Sequence, residues 1–190
     1  MDSNIQLIGS IVIGSIFLLG VLSFYGGVFD FSHEKTFELL TQETIASLME
    51  IIEHDFQKIG SGLPFPAMAI TDSNTITFLG DIDEDGVVDT VRYSLSDTLA
   101  ASSTPNPNDV ILYRDVNSIR TIDTPAGVTA FTVTLLDEFG NPTTELMDIR
   151  RLNVSLTVES LFLYDGRYAR AVWQESFAPI NLYKKTFTNF

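Results

Sequence analysis

Ile8-Gly-Ser-Ile-Val-Ile-Gly-Ser-Ile-Phe-Leu-Leu-Gly-Val-Leu22 contains no charge, and the charge-free interval around it extends from Ser3 to Phe29. Those 27 residues would reach roughly 40 Å as a helix, more than the ~30 Å hydrocarbon core of a bilayer. Leu, Ile, Val and Phe favour insertion, while Gln6, Ser10, Ser15 and Ser23 can bond back to helix carbonyls. Tyr25 falls where an interfacial aromatic would sit. The stretch therefore predicts a membrane-spanning helix over residues 1–29, with lipid contact through residues 5–25. A cleaved signal peptide is the competing reading. The lack of Lys or Arg ahead of the segment, and its length, argue against that. Small residues at Gly9, Ser10, Gly14, Ser15 and Gly20 offer close approach to a second helix. Charge gives little on orientation, because the first basic residue, Lys35, stands among Asp30, Glu34 and Glu38.

Towards the C-terminus the pattern changes. A break is expected near Gly26-Gly27, followed by an amphipathic continuation over 30–62. Phe37, Leu40, Ile45, Leu48, Ile52, Phe56 and Ile59 recur at mostly three- and four-residue steps, with Glu38, Glu43, Glu50, Glu53 and Lys58 on the other face. Such a stripe suits a helix laid on a sheet. Gly60-Ser61-Gly62, with Pro64 and Pro66 beyond, ends it.

From Ala69 the period becomes that of strands. Thr75–Leu79, Thr90–Leu95, Asp109–Tyr113, Val128–Leu136, Leu152–Val158 and Tyr168–Phe177 are candidates, separated by turn-forming Asp, Gly, Asn and Pro. The fold class expected is α+β: a long N-terminal helix packed on an antiparallel β-sheet domain over 63–190.

This order, with three particular stretches, resembles the type IV pilin-like family, and most the minor-pilin and pseudopilin branch. The stretches are Glu50–Gly60, where the long helix leaves for the sheet; Ile76–Tyr93, an acidic-turn hairpin; and Val128–Val133 with Asp137–Asn141, a later hairpin. The resemblance implies a structural, non-catalytic subunit of a pilus-like or pseudopilus-like filament at the cell surface. It also implies a single-pass anchor in the bacterial cytoplasmic membrane, with the C-terminal domain periplasmic or extracellular. Other protein subunits would be contacted through the N-terminal helix. The family pattern includes a basic leader and a Glu at position 5, whose carboxylate meets a neighbour's N-terminal amine. Here the chain begins Met1-Asp-Ser-Asn, and Ile5 occupies that position. The departure keeps a second reading open, a single-pass accessory or docking subunit of a larger membrane protein complex.

The hairpin loop carries its own chemistry. Asp81, Asp83, Asp85 and Asp89 fill the first, third, fifth and ninth positions of a calcium loop, with Gly86 at the sixth and the Val87 carbonyl at the seventh. Four aspartates and Glu84 within nine residues repel one another unless a cation intervenes. Calcium, with its flexible oxygen coordination, suits the spacing. The twelfth position is Arg92 rather than Glu, so a further ligand is expected from Asp72, Asp97 or water. A solvated Asp/Gly turn is the alternative.

Composition excludes several functions. The net charge is -14, from 25 acids against 11 Lys plus Arg, and no nucleic-acid partner is expected of such a surface. No cysteine is present, so disulfides and thiolate chemistry are ruled out. The two histidines, His33 and His54, fall on the helix, away from any Ser/His/Asp arrangement in the sheet domain. No enzyme activity is expected. Asn153-Val154-Ser155 matches a glycosylation acceptor, a tripeptide too common to carry weight.

Overall fold

A computed structural model describes residues 2–63, 68–72, 75–124 and 127–183. The apolar segment and the amphipathic segment form one uninterrupted helix, α1, Asp2–Gln57, of 56 residues. No break occurs at Gly26-Gly27. Each glycine costs about 1 kcal/mol relative to Ala in a helix, but it keeps its amide and so breaks no hydrogen bond. At 1.5 Å per residue α1 is roughly 84 Å long. Ser10 Oγ donates to the Leu7 carbonyl and Ser15 Oγ to that of Ile11, each at 2.8 Å. These internal bonds remove hydroxyls that would otherwise need water. Up to Phe31 the large apolar side chains are exposed, Phe17 at 74%. Among the described residues one helix, α1, is thus long and apolar enough to cross a membrane, and the most apolar part of it is unburied.

The second half of α1 behaves oppositely. Ile45, Leu48, Ile52 and Phe56 are buried, as is Ile59 in the turn that follows, and all five join the sheets in one core. Of the expected stripe Leu40 is exposed and Phe37 half-buried, both lining a cavity with Glu159 and Phe162 at the end of the domain. Gly60 and Gly62 take left-handed φ values of 75° and 78°, which glycine adopts without steric cost, and turn the chain away.

Among the described residues eight strands follow, and they form two sheets rather than one. β1 (Met68–Asp72), β2 (Thr75–Gly80), β3 (Asp89–Leu95), β4 (Leu112–Val116) and β5 (Ile119–Asp123) are an antiparallel meander in that spatial order. β6 (Val128–Leu136), β7 (Arg151–Glu159) and β8 (Arg170–Phe177) form the second sheet. The expected strand Asp109–Tyr113 begins three residues later, because the Val110 amide crosses to the Val128 carbonyl of the other sheet at 2.8 Å. β5 was not foreseen: its hairpin turn is Asn117-Ser118, both at positive φ (52° and 68°), without the glycine that usually signals such a turn. The inner faces of both sheets meet on α1, where the Phe56 ring lies 5.4 Å from Phe78, 5.8 Å from Tyr93 and 5.5 Å from Phe177.

An ion pair enters this core. Asp55 has no solvent exposure, and it accepts hydrogen bonds from Arg114 Nε (2.6 Å), Arg114 Nη2 (2.8 Å) and the Tyr93 hydroxyl (2.6 Å). A buried carboxylate is tolerable only when paired and fully hydrogen-bonded. Asp55 meets that condition by joining α1 to β3 and β4. Burial, and then the charge of Asp55, pushes the Tyr93 phenol well above its usual pKa. His54, next to it, is exposed.

Candidate metal centre

The β2–β3 hairpin closes at Gly80 opposite Asp89, so residues 81–88 form the loop at one end of the first sheet. Its position is fixed by the exit of α1. The Leu79 carbonyl accepts from the Gly60 amide at 2.8 Å, and the Asp81 amide donates to the Ser61 carbonyl at 3.1 Å. A Cβ on Gly80 would stand 2.3 Å from the Lys58 carbonyl oxygen, so only glycine permits this approach. Lys58 also pairs with Glu84, holding that carboxyl below its usual pKa through the hydrogen bond and then the charge.

The loop gathers three of the expected carboxylates. One oxygen from each of Asp81, Asp83 and Asp89 lies within 4.8 Å of the others. Asp89 is buried: its Oδ2 accepts from the Ile82 amide (3.1 Å) and its Oδ1 from Asn117 Nδ2 (2.7 Å). Asp81 Oδ2 accepts from the Gly86 amide at 3.1 Å, whereas Asp81 Oδ1 is buried with no hydrogen-bond partner. Asp83 Oδ1 accepts from the Asp85 amide at 3.3 Å. Gly86, at φ 87°, makes the bend.

Asp85 lies outside this group. Its Oδ1 accepts the Val87 amide at 2.7 Å, a local turn contact. Val87 is exposed at 62%. Neither auxiliary acid is placed to help. Asp97 lies beyond the far end of β3, where it accepts the Ala100 amide. The Asp72 backbone pairs with Thr75 at the far end of β2, and its side chain lies outside the described residues. A six-residue strand separates those positions from the loop by roughly 20 Å.

The residue that sequence reading missed is Asn117. Besides holding Asp89, its Oδ1 accepts the Thr90 amide at 2.9 Å, so the β4–β5 turn braces the acidic loop from the next hairpin. Its only signal was an Asn-Ser pair between two short apolar runs.

Hard oxygen donors, an unpartnered buried carboxylate oxygen and three convergent acids fit a hard divalent cation. Asp81, Asp83 and Asp89 would hold it. Comparison with protein-family models, with curated proteins and with solved structures gives no match to this chain.

Proposed function

We propose that this chain is a non-catalytic structural subunit of a pilus-like or pseudopilus-like assembly, anchored in the bacterial cytoplasmic membrane by the first half of α1. The observation that carries the reading is the division of one continuous helix. Residues 5–31 expose their apolar side chains, while Ile45 to Phe56 form the core of the sheet domain. An apolar surface of that length is stable only when lipid or other helices cover it. A rigid helix rooted in a folded head suits a subunit whose stalks pack together and whose heads face outward, in the periplasm or outside the cell. Adding a Cβ at Gly9, Gly14 or Gly20 would meet nothing within 4 Å, which leaves those backbones open to a neighbouring helix.

On the same reading the β2–β3 loop binds calcium, which is abundant outside the cytoplasm, and the cation ties the hairpin to the end of α1. The role is structural, adding binding free energy to the folded state. The acidic surface suits no nucleic-acid partner.

The second reading, an accessory subunit docked in a larger membrane complex, is favoured by Ile5 in place of a carboxylate. Single cysteines separate the two cleanly, since the chain has none of its own. Gly14→Cys in native membranes is expected to cross-link one copy to another. Cross-links only to different polypeptides, in fixed stoichiometry, would favour the accessory subunit instead.

A further inference from the structure

Outside α1, two connections among the described residues carry three exposed large apolar side chains each. The β6–β7 connection has Phe139 (81% exposed), Leu146 and Met147 (72%), and the β7–β8 connection has Leu161, Phe162 and Leu163. Both are held structures. Asp137 Oδ1 accepts the Phe139 and Asn141 amides, each at 2.8 Å, and Arg150 Nη1 donates to the Met147 carbonyl at 2.6 Å. Ser160 Oγ donates to the Phe162 carbonyl at 2.9 Å and accepts the Ala169 amide at 3.0 Å.

The two connections lie at opposite ends of one sheet. β6 and β7 pair from Val128 opposite Val158 to Leu136 opposite Arg151, a separation of roughly 27 Å at the strand rise. α1 runs along the same span. At one end Phe37, Leu40, Thr41 and Thr44 share a cavity of about 280 Å³ with Leu161 and Phe162. At the other, Phe56 meets Phe177, whose strand partner is Leu152. The cavity is apolar in character. The Thr41 and Thr44 hydroxyls donate back to the Phe37 and Leu40 carbonyls at 2.8 and 2.9 Å, and Glu159 on its rim accepts from Asn106 and Asn108. Lipid is a poor occupant, because Glu34, Glu38, Asp165 and Arg167 gather around a neighbouring cavity on the side of the charge-free half of α1. A protein side chain is the better one. Residues 137–151 carry Asp137, Glu138, Glu145 and Asp148 against Arg150 and Arg151, whereas 160–170 carry Arg167 and Arg170 against Asp165. The first connection is thus net negative and the second net positive, which favours their approach.

We infer that the β6–β7 connection of one copy docks into the α1/160–163 cavity of the next, with Phe139 and Met147 against Phe37, Leu40 and Phe162. The inference rests on the assembly reading and names the contact between heads. Knob and socket are different surfaces of the same chain, so the contact is head-to-tail and repeats along a filament where its rotation does not close a ring. The shift along α1 that it demands, roughly 27 Å, is shorter than the charge-free interval of roughly 40 Å, so the stalks of docked copies still overlap.

The test uses the full chain in native membranes, with cysteines added to a sequence that has none and a short bis-maleimide cross-linker. Phe139→Cys combined with Phe162→Cys is expected to give a ladder of dimers, trimers and higher species, since the two positions of one copy are too far apart to join. Co-expression of the two single variants should stop at the dimer, and either alone should give no product. Gly14→Cys reports on the stalks independently. Dimers through position 14 without the 139–162 ladder overturn the contact between heads and leave the stalk assembly standing. No product at any position overturns both. A single variant that links to its own kind reveals a symmetric contact, and links from 162 only to a different polypeptide give the cavity to another partner; either result overturns the proposal.

Discussion

At the scale of single residues, Asp55 is the most consequential side chain in the head. It lies among Ile52, Phe56 and Ile59, on the apolar face that the sheets cover. Removing the carboxylate would leave Arg114 and the Tyr93 hydroxyl in a dry core without their acceptor. Asp55→Ala is expected to cost about 3–5 kcal/mol, read as a lower denaturant midpoint for the full chain in detergent. Tyr93→Phe keeps the Arg114 pair and removes one hydrogen bond to a charged group, a loss of about 1.5–3 kcal/mol. The folded pKa of Tyr93 is raised, so its stabilisation is complete below the unfolded value near pH 10 and is lost as pH rises above it. The alkaline fall in stability should therefore flatten in Tyr93→Phe; an unchanged alkaline limb would show that another group causes it. Asp109 is a contrasting case. It is buried, and burial pushes its pKa up against smaller downward pulls from the Thr104 hydroxyl and the Gly127 amide, with Glu159 adding a still smaller upward push. A raised carboxyl pKa means the fold favours the neutral acid, so this group's contribution is present at low pH and lost as pH rises through the folded pKa. Asp109→Asn should accordingly raise the thermal midpoint at neutral pH, and the gain should vanish below about pH 4, where the wild-type carboxyl is also neutral.

At the scale of elements, the acidic hairpin makes the sharpest distinction. Saturating calcium, at about 100 times its dissociation constant, adds roughly 2.7 kcal/mol to a fold that binds it only when native. The thermal midpoint of the wild type should rise with calcium and fall with EDTA. Asp81→Asn and Asp83→Ala should abolish that response. Asp85→Ala should keep most of it, because its carboxylate serves the Val87 amide. Asn117→Ala should weaken it without touching the cation, by releasing Asp89. If no variant and no chelator moves the midpoint, the loop is a solvated turn. The docking of this hairpin on α1 has its own check. Gly80→Ala drives a methyl group into the Lys58 carbonyl and should cost at least about 1–3 kcal/mol by the same unfolding assay, calcium or not.

At the scale of the whole molecule, the helix and the strand content were legible because each is written as a period. The three- and four-residue steps from Ile45 to Ile59 mark the face that the sheets cover, and the alternation from Val128 to Leu136 marks β6. The division into two sheets was not legible, since alternation says which face of a strand is buried and nothing about which neighbour it pairs with. Val110 shows the point, an extended residue bonded across to the second sheet. Of the candidate site, the loop spacing named Asp81, Asp83 and Asp89, whose carboxylates converge, together with Asp85, whose carboxylate meets the Val87 amide. Position in a calcium-loop pattern does not tell which carboxylates converge and which cap their own turn. Asn117 and Arg114 were invisible for a related reason, since each acts on a residue far away in sequence. Assembly requires that the exposed half of α1 be covered by the same half of other copies. Electron microscopy of the full chain after detergent removal tests it most directly. Filaments are expected whose axis is a bundle of α1 segments, residues 5–31 inward and sheet domains outward. Single copies, each with that segment facing only lipid at every protein concentration, would contradict it.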